Sequence, residues 1–316
     1  MIETYRSNGG TSRRYAAEGS GFHIPDGVMG MLLMLPSILL FLLLIAYPIV
    51  QAFILSVQNV SMLDLNKGDF VGLKNYTDIL DRNEFWVSFA NTAIWTVGSL
   101  VGQVGVGILF ALLLNSAFAG HNIARGLILL PYLLSTVVTI LIWQWMLNDL
   151  YGIVDFTLMD WGLTNQPIHW LTRMPNAMVT AIVIATWKYF PFVVITILAR
   201  LQSIPPQLYE AARIDGAGWF SRFFDITLPQ IRSVLLLILL LRGIWDLKDF
   251  DLIFLLTQGG PQIGTQTLPL LIYKEAFGQL HLGRGAAVAI LMLGIMVLMF
   301  ALYIWRFRLD AKENAS

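Results

Sequence analysis

The chain has no cysteine among its 316 residues, which excludes disulfides, thiolate metal centres and cysteine nucleophiles. Histidine is almost as scarce. His23, His121, His169 and His281 stand singly and form no HExxH pair, so the common zinc-hydrolase pattern is missing. There is no GxxxxGK[ST] phosphate loop either. If ATP drives this protein, another chain hydrolyses it. Charge is thin: 13% of residues are Asp, Glu, Lys or Arg, about half the share in soluble domains. The 20 basic and 20 acidic residues cancel, which argues against nucleic acid as a partner.

Apolar residues fill the space that charge leaves. They make up 57% of the chain, and mean hydropathy is +0.68. A helix needs roughly 20 mostly apolar residues to cross a bilayer. Gly27 to Leu63 carries no charge, and neither does Phe85 to Gly120. Six spans are expected: Val28–Val57, Ser88–Asn115, Gly126–Asn148, Pro175–Ala199, Ser233–Leu256 and Gly285–Trp305. Runs this long are too apolar for the buried helices of a soluble protein. Residues 1–27 read as a cytoplasmic tail and 310–316 as a second. Arg13-Arg14 before an apolar run suggests a twin-arginine signal, but the run is too long for a signal core and lacks a cleavage site.

Basic residues decide the orientation. Eleven fall on one set of segments, among them Arg6, Arg13, Arg14, Arg125, Arg200, Arg213 and Arg306, and six on the other, including Lys74 and Arg173. The positive-inside rule then places both termini in the cytoplasm. Trp86, Trp143, Trp145, Trp161, Trp170 and Trp305 lie near span ends, as interfacial anchors do. Gly98, Gly102, Gly105 and Gly107 in the second span are expected to let another helix approach closely.

The segment 202–229 differs from every other connection. Pro205-Pro206 opens a helix that runs through Ile214, and Gly216 is placed to end it in a left-handed conformation. A short helix, Trp219–Asp225, follows, and Pro229 suits the start of the fifth span. Leu208, Ala211, Ala212 and Ile214 give the first helix an apolar surface. It lacks the dense Lys/Arg face of helices that lie on lipid, so docking onto a protein is the better reading.

Glu210-Ala211-Ala212, Gly216 and Ile226-Thr227-Leu228-Pro229 together resemble the EAA loop of permease subunits in bacterial ABC importers. Phe70-Val-Gly-Leu-Lys-Asn-Tyr76, Leu256-Thr-Gln-Gly-Gly-Pro261 with Thr265, and Tyr273-Lys-Glu-Ala-Phe277 resemble the first permease of maltose-type sugar importers. The resemblance covers about residues 28–309 and implies an all-α, six-helix type I importer fold in an inner membrane. It implies a transport subunit that is not an enzyme and holds no cofactor, because Mg-ATP binds to separate subunits. The implied partners are a homologous second permease, two ATP-binding cassette ATPases, an extracytoplasmic sugar-binding protein and membrane lipid. Glu210, Ala211, Ala212, Asp215 and Gly216 would meet the ATPase.

Charges within spans are costly and usually face a cavity or one another. Arg242, Trp245, Asp246 and Asp249 are spaced i, i+3, i+4 and i+7, one face of a helix. Lys188, Tyr189 and Phe192 surround Pro191, whose missing N–H invites a kink. By the resemblance, these seven residues line a sugar path near mid-membrane. The competing reading is an Arg242–Asp246 ion pair and a Lys188–Asp249 bridge that hold spans together. Lys248 and Asp251 are expected to point away as a structural pair. A secondary carrier or channel working without ATP is the alternative function. It would require about twelve spans or an inverted repeat, and neither is evident.

Overall fold

The computed structural model describes residues 26–116 and 119–313. The readings for residues 1–25, including Arg6, Arg13 and Arg14, lie outside the described residues, as do 314–316. The chain divides into two compact units, residues 1–50 and 51–316. The first holds a helix, Asp26–Phe41, followed by a π turn at Leu42–Ala46. Leu33, Leu43 and Leu44 on it are well exposed, a surface suited to lipid rather than water.

Among the described residues, five helices are long and apolar enough to cross a membrane: Met29–Ser56, Asn83–Asn115, Asn176–Gln202, Trp219–Leu247 and Leu282–Trp305. The third expected span is present but broken. His121–Leu133 and Thr136–Met146 meet at 91°. Pro131 sits in the last turn before the break, and Ser135 is extended, with ψ 142°.

The second and fourth spans form the packed centre of the larger unit. A Cβ on Gly98, Gly102 or Gly107 would stand 2.7, 2.4 or 2.5 Å from Ile182, Thr186 or Val193 of the fourth span. These three glycines therefore permit the close approach, whereas nothing lies within 4 Å of a Cβ on Gly105. Trp95, Ile140, Ile184 and Leu252 fill one core cluster, and Ala111, Val193, Ile197, Ile231 and Ile238 another. The fourth span stays helical through Pro191.

Two departures from the expected fold concern the connections. Between the first and second spans, β1 (Gln58–Ser61) and β2 (Asp64–Phe70) form an antiparallel hairpin with register Gln58↔Phe70. Among the described residues, the regular structure is thus helical apart from this hairpin and one isolated bridge, Ser61 to His281. Asn75 donates to the Ser56 and Gln58 carbonyls at 2.9 and 2.8 Å, and the Tyr76 hydroxyl donates to Ser56 Oγ at 2.7 Å, which ties down the hairpin base. The second departure is that the fifth span ends at Leu247, and a separate short helix, Asp251–Thr257, follows.

The connection after that helix is a knot of hydrogen bonds. Thr265 donates to the Gly260 carbonyl at 2.7 Å, and Asn91 of the second span donates to the carbonyls of Ile263 and Gln266 at 2.9 and 3.0 Å. Glu275 is fully buried between Arg82 at 2.9 Å and Arg284 at 3.3 Å. Burial pushes its carboxyl up despite both guanidinium groups.

Candidate translocation cavity and coupling loop

The end of the fifth span at Leu247 determines the site. The seven in-span candidates separate into two groups there. A cavity of about 410 Å³ is lined by Tyr132, Tyr189, Arg242, Trp245, Lys248, Asp249, Phe250 and Asp251. Four of these were expected from the sequence: Tyr189, Arg242, Trp245 and Asp249. Lys188, Phe192 and Asp246 are not in its lining, although each supports it from behind.

Asp246 is fully buried and pairs with Arg242 one turn earlier. Gln103 of the second span joins both: its Oε1 accepts from Arg242 Nε at 2.7 Å, and its Nε2 donates to Asp246 Oδ1 at 3.3 Å. Trp95 Nε1 donates to the Asp246 carbonyl at 2.9 Å. The guanidinium carbon of Arg242 lies 4.3 Å from the Tyr189 ring centroid and 5.5 Å from that of Trp245. Arg242 therefore holds its counter-ion on one side and presents an aromatic-flanked cation on the other.

The helical spacing that grouped Asp249 with Arg242 fails, because Asp249 lies beyond the helix end. It instead opens the next helix, its Oδ1 accepting from Leu252 N–H at 3.2 Å. Tyr189 reaches its Oδ2 at 3.5 Å. The same break turns Lys248 and Asp251 into the cavity wall, contrary to their expected role as a pair facing away. Phe192 packs edge-on against Trp245 at 5.3 Å and stacks on Tyr132 at 6.4 Å. Lys188 donates to the Leu134 carbonyl at 2.7 Å, where a bridge to Asp249 was the competing reading. Sequence reasoning missed Gln103, Tyr132 and Phe250. A lone glutamine in an uncharged span was the signal for the first.

A second cavity, of about 890 Å³, lies by the end of the third span and includes Trp145, Asp149, His169 and Thr172. Asp149 accepts from Thr172 at 2.7 Å and lies 2.9 Å from His169. Burial raises its carboxyl, but these two hydrogen bonds and the His169 charge outweigh that and hold it below the usual value.

At the other functional segment, the expected helix is Pro206–Ile214. Gly216 has φ +77°. Ala217 N–H donates to the Ala212 carbonyl at 2.8 Å and Gly216 N–H to that of Arg213 at 3.1 Å, the paired bonds of a Schellman cap. The following helix is not separate: Trp219–Arg222 passes through a π turn, Phe223–Thr227, directly into Leu228–Leu247. Glu210, Ala211, Asp215 and Gly216 are exposed and Ala212 is half-buried. Ile214, Trp219, Phe220 and Phe224 add exposed apolar side chains to the same loop.

Residues 103–313 match the family described as binding-protein-dependent transport system inner membrane component. The trehalose/maltose transport system permease protein MalF of Thermococcus litoralis is 36% identical over 291 residues, covering 90% of this chain and 96% of that protein. The sulfoquinovosyl glycerol transport system permease protein SmoG of Agrobacterium fabrum is 34% identical, covering 88% and 90%. Among solved structures, a chain of a bacterial ABC transporter that imports the acidic polysaccharide alginate superposes with a TM-score of 0.77 at 23% identity, covering 90% of this chain and 96% of that one.

Proposed function

The chain belongs to the binding-protein-dependent transport system inner membrane components, and from that premise we propose that it is the permease subunit of an ATP-driven sugar importer. The observation that carries this reading is the cavity at the end of the fifth span, where Tyr132, Tyr189 and Trp245 stand beside Arg242 and Asp249. Aromatic faces suit the apolar faces of pyranose rings, and the charged groups supply donors and acceptors for hydroxyls. Relatives named for trehalose, maltose and sulfoquinovosyl glycerol transport support sugar as the class. Mg-ATP binds to partner chains, because this chain has no phosphate loop.

The assembly contains a homologous second permease, two ATPase subunits and an extracytoplasmic binding protein. Both termini and the 202–229 loop face the cytoplasm, in line with the basic-residue bias. Glu210, Ala211, Ala212, Asp215 and Gly216 form the ATPase-facing turn, with Trp219 and Phe220 beside them. Reconstitution of the complete complex with its binding protein, followed by ATPase measurement across a panel of neutral and acidic sugars, tests the reading. Stimulation by at least one sugar is expected. Solute uptake that persists without ATP would instead establish a secondary carrier.

A further inference from the structure

We propose that the larger cavity, at the far end of the third span, is a second sugar subsite that receives cargo on the extracytoplasmic side; this rests on the permease reading above. With both termini and the 202–229 loop in the cytoplasm, the connection between the third and fourth spans faces outward. The two cavities stand at opposite ends of the short helix Asp251–Thr257. Phe250 and Asp251, at its start, line the smaller one. Near its other end, the Leu255 and Leu256 carbonyls accept from Gln144 Nε2 at 2.7 and 3.1 Å, and Gln144 lines the larger one. Seven residues at 1.5 Å each put about 10 Å between them. Ile140 and Leu147 pack with Leu252 and Leu256 in one buried cluster, which fixes that spacing.

The lining has the chemistry of a carbohydrate site. Its volume, about 890 Å³, falls in the range of about 300–1,000 Å³ that holds small ligands. Trp145 and Tyr151 line it and are 59% and 64% exposed, so their ring faces are open to the C–H face of a pyranose. Asp149 is held in place through one oxygen: Oδ2 accepts from Thr172 Oγ1 at 2.7 Å and lies 2.9 Å from His169 Nδ1. Its Oδ1 is left to accept from sugar hydroxyls. Asn148 Oδ1 accepts from Leu150 N–H at 2.9 Å, which leaves the Asn148 NH2 group to donate. Among the described residues, the lining contains no Lys or Arg. It therefore suits hydroxyls rather than a phosphate, and this argues for sugar over a lipid headgroup.

The chain has no cysteine, so Leu150→Cys gives it a single thiol in the cavity wall, at a side chain 92% exposed. Its reaction rate with a small charged methanethiosulfonate, read on this subunit by mass, is measured in the complete transporter without binding protein. The probe is the panel sugar that stimulates the native complex, at high millimolar concentration, with inorganic phosphate as control and a thiol at Lys74 as reference. Sugar should slow the reaction at position 150 at least threefold, while phosphate and the reference show no change. Trp145→Ala with Asp149→Asn should abolish that protection. No protection, equal protection by phosphate, or protection that survives both substitutions would overturn the subsite. Separately, with binding protein present, Trp145→Ala removes an exposed ring and should lower sugar uptake per ATP hydrolysed severalfold, because released cargo escapes uncaptured. An equal fall in uptake and in ATPase would make this cavity a docking surface for the binding protein instead, and unchanged uptake would take it off the cargo path. If no panel sugar stimulates the native complex, the sugar reading itself fails and the subsite with it; stimulation without protection sinks the subsite alone.

Discussion

Arg242 and Asp246 are close enough to be read as either machinery or scaffold, and a mutant cycle separates the two. Arg242 is 3% exposed and Asp246 fully buried, and Gln103 bonds to both. Removing one member of a buried ion pair typically costs about 3–5 kcal/mol, while replacing both by apolar residues is often neutral. With Asp246→Leu, Arg242 keeps Gln103 and the faces of Tyr189 and Trp245, so a cost near the lower bound, about 3 kcal/mol, is expected. Arg242→Met leaves the carboxylate with Gln103 alone and should cost at least as much. The double variant should recover most of the loss. Reversible unfolding in mixed detergent micelles measures all three. Transport should not recover in the double variant, because the cavity has lost its aromatic-flanked guanidinium. Single variants that each cost under about 1 kcal/mol, or additive costs, would refute the claim that this pair holds the spans together.

Three further outcomes are expected. Gly216→Leu faces no steric contact, since nothing lies within 4 Å of the added Cβ. The cost is strain at φ +77° alone, about 1–2 kcal/mol, and uptake and ATPase association should fall while membrane insertion persists; normal uptake would count against the cap. Single cysteines at Lys74 and Arg213 should label from opposite sides of the membrane, and labelling of both from outside would reverse the orientation. Asp249→Asn and Trp245→Ala should impair uptake with assembly intact, and normal transport by both would remove the cavity from the cargo path.

Uncharged runs made the spans legible because a bilayer punishes every charge in the same way, whatever the tertiary contacts. The helix end in the 202–229 loop was legible for a related reason: a Gly at a helix end has one strong physical meaning, and Gly216 has the positive φ it implies. The break after Leu133 was not legible, because its carbonyl partner, Lys188, lies 54 residues away in sequence. Nor was the hairpin, whose strand Asp64–Phe70 mixes polar and apolar residues without a clean alternation. The cavity was half legible. Helical spacing grouped Arg242 and Trp245, which both line the cavity, but carried on past Leu247, where the helix stops. Asp249, three residues before Leu252, was the available start signal for a new helix. Reading it as a cap would have turned Lys248 and Asp251 toward the cavity.

The continuity of the fifth span leads to the last expectation. The loop residue Trp219 and the cavity residue Trp245 sit on one helical run of 29 residues, about 43 Å at 1.5 Å per residue. The preceding helix is fastened to that run through Tyr209 and Thr227, whose hydroxyls lie 3.1 Å apart. The fourth span is fastened to it through Arg200, which donates to the Gln230 carbonyl at 2.8 Å and to its side chain at 3.2 Å. A displacement of the loop is therefore expected to reach both cavity-bearing spans together, because packed and bonded elements join them. Arg200→Leu cuts the tie between the spans at the loop end without touching the cavity. Coupling changes of this kind are worth about 0.5–2 kcal/mol, so sugar taken up per ATP hydrolysed should fall severalfold while ATPase subunits stay bound. Uptake per ATP equal to that of the native complex would mean that the two spans do not need this tie to move as one.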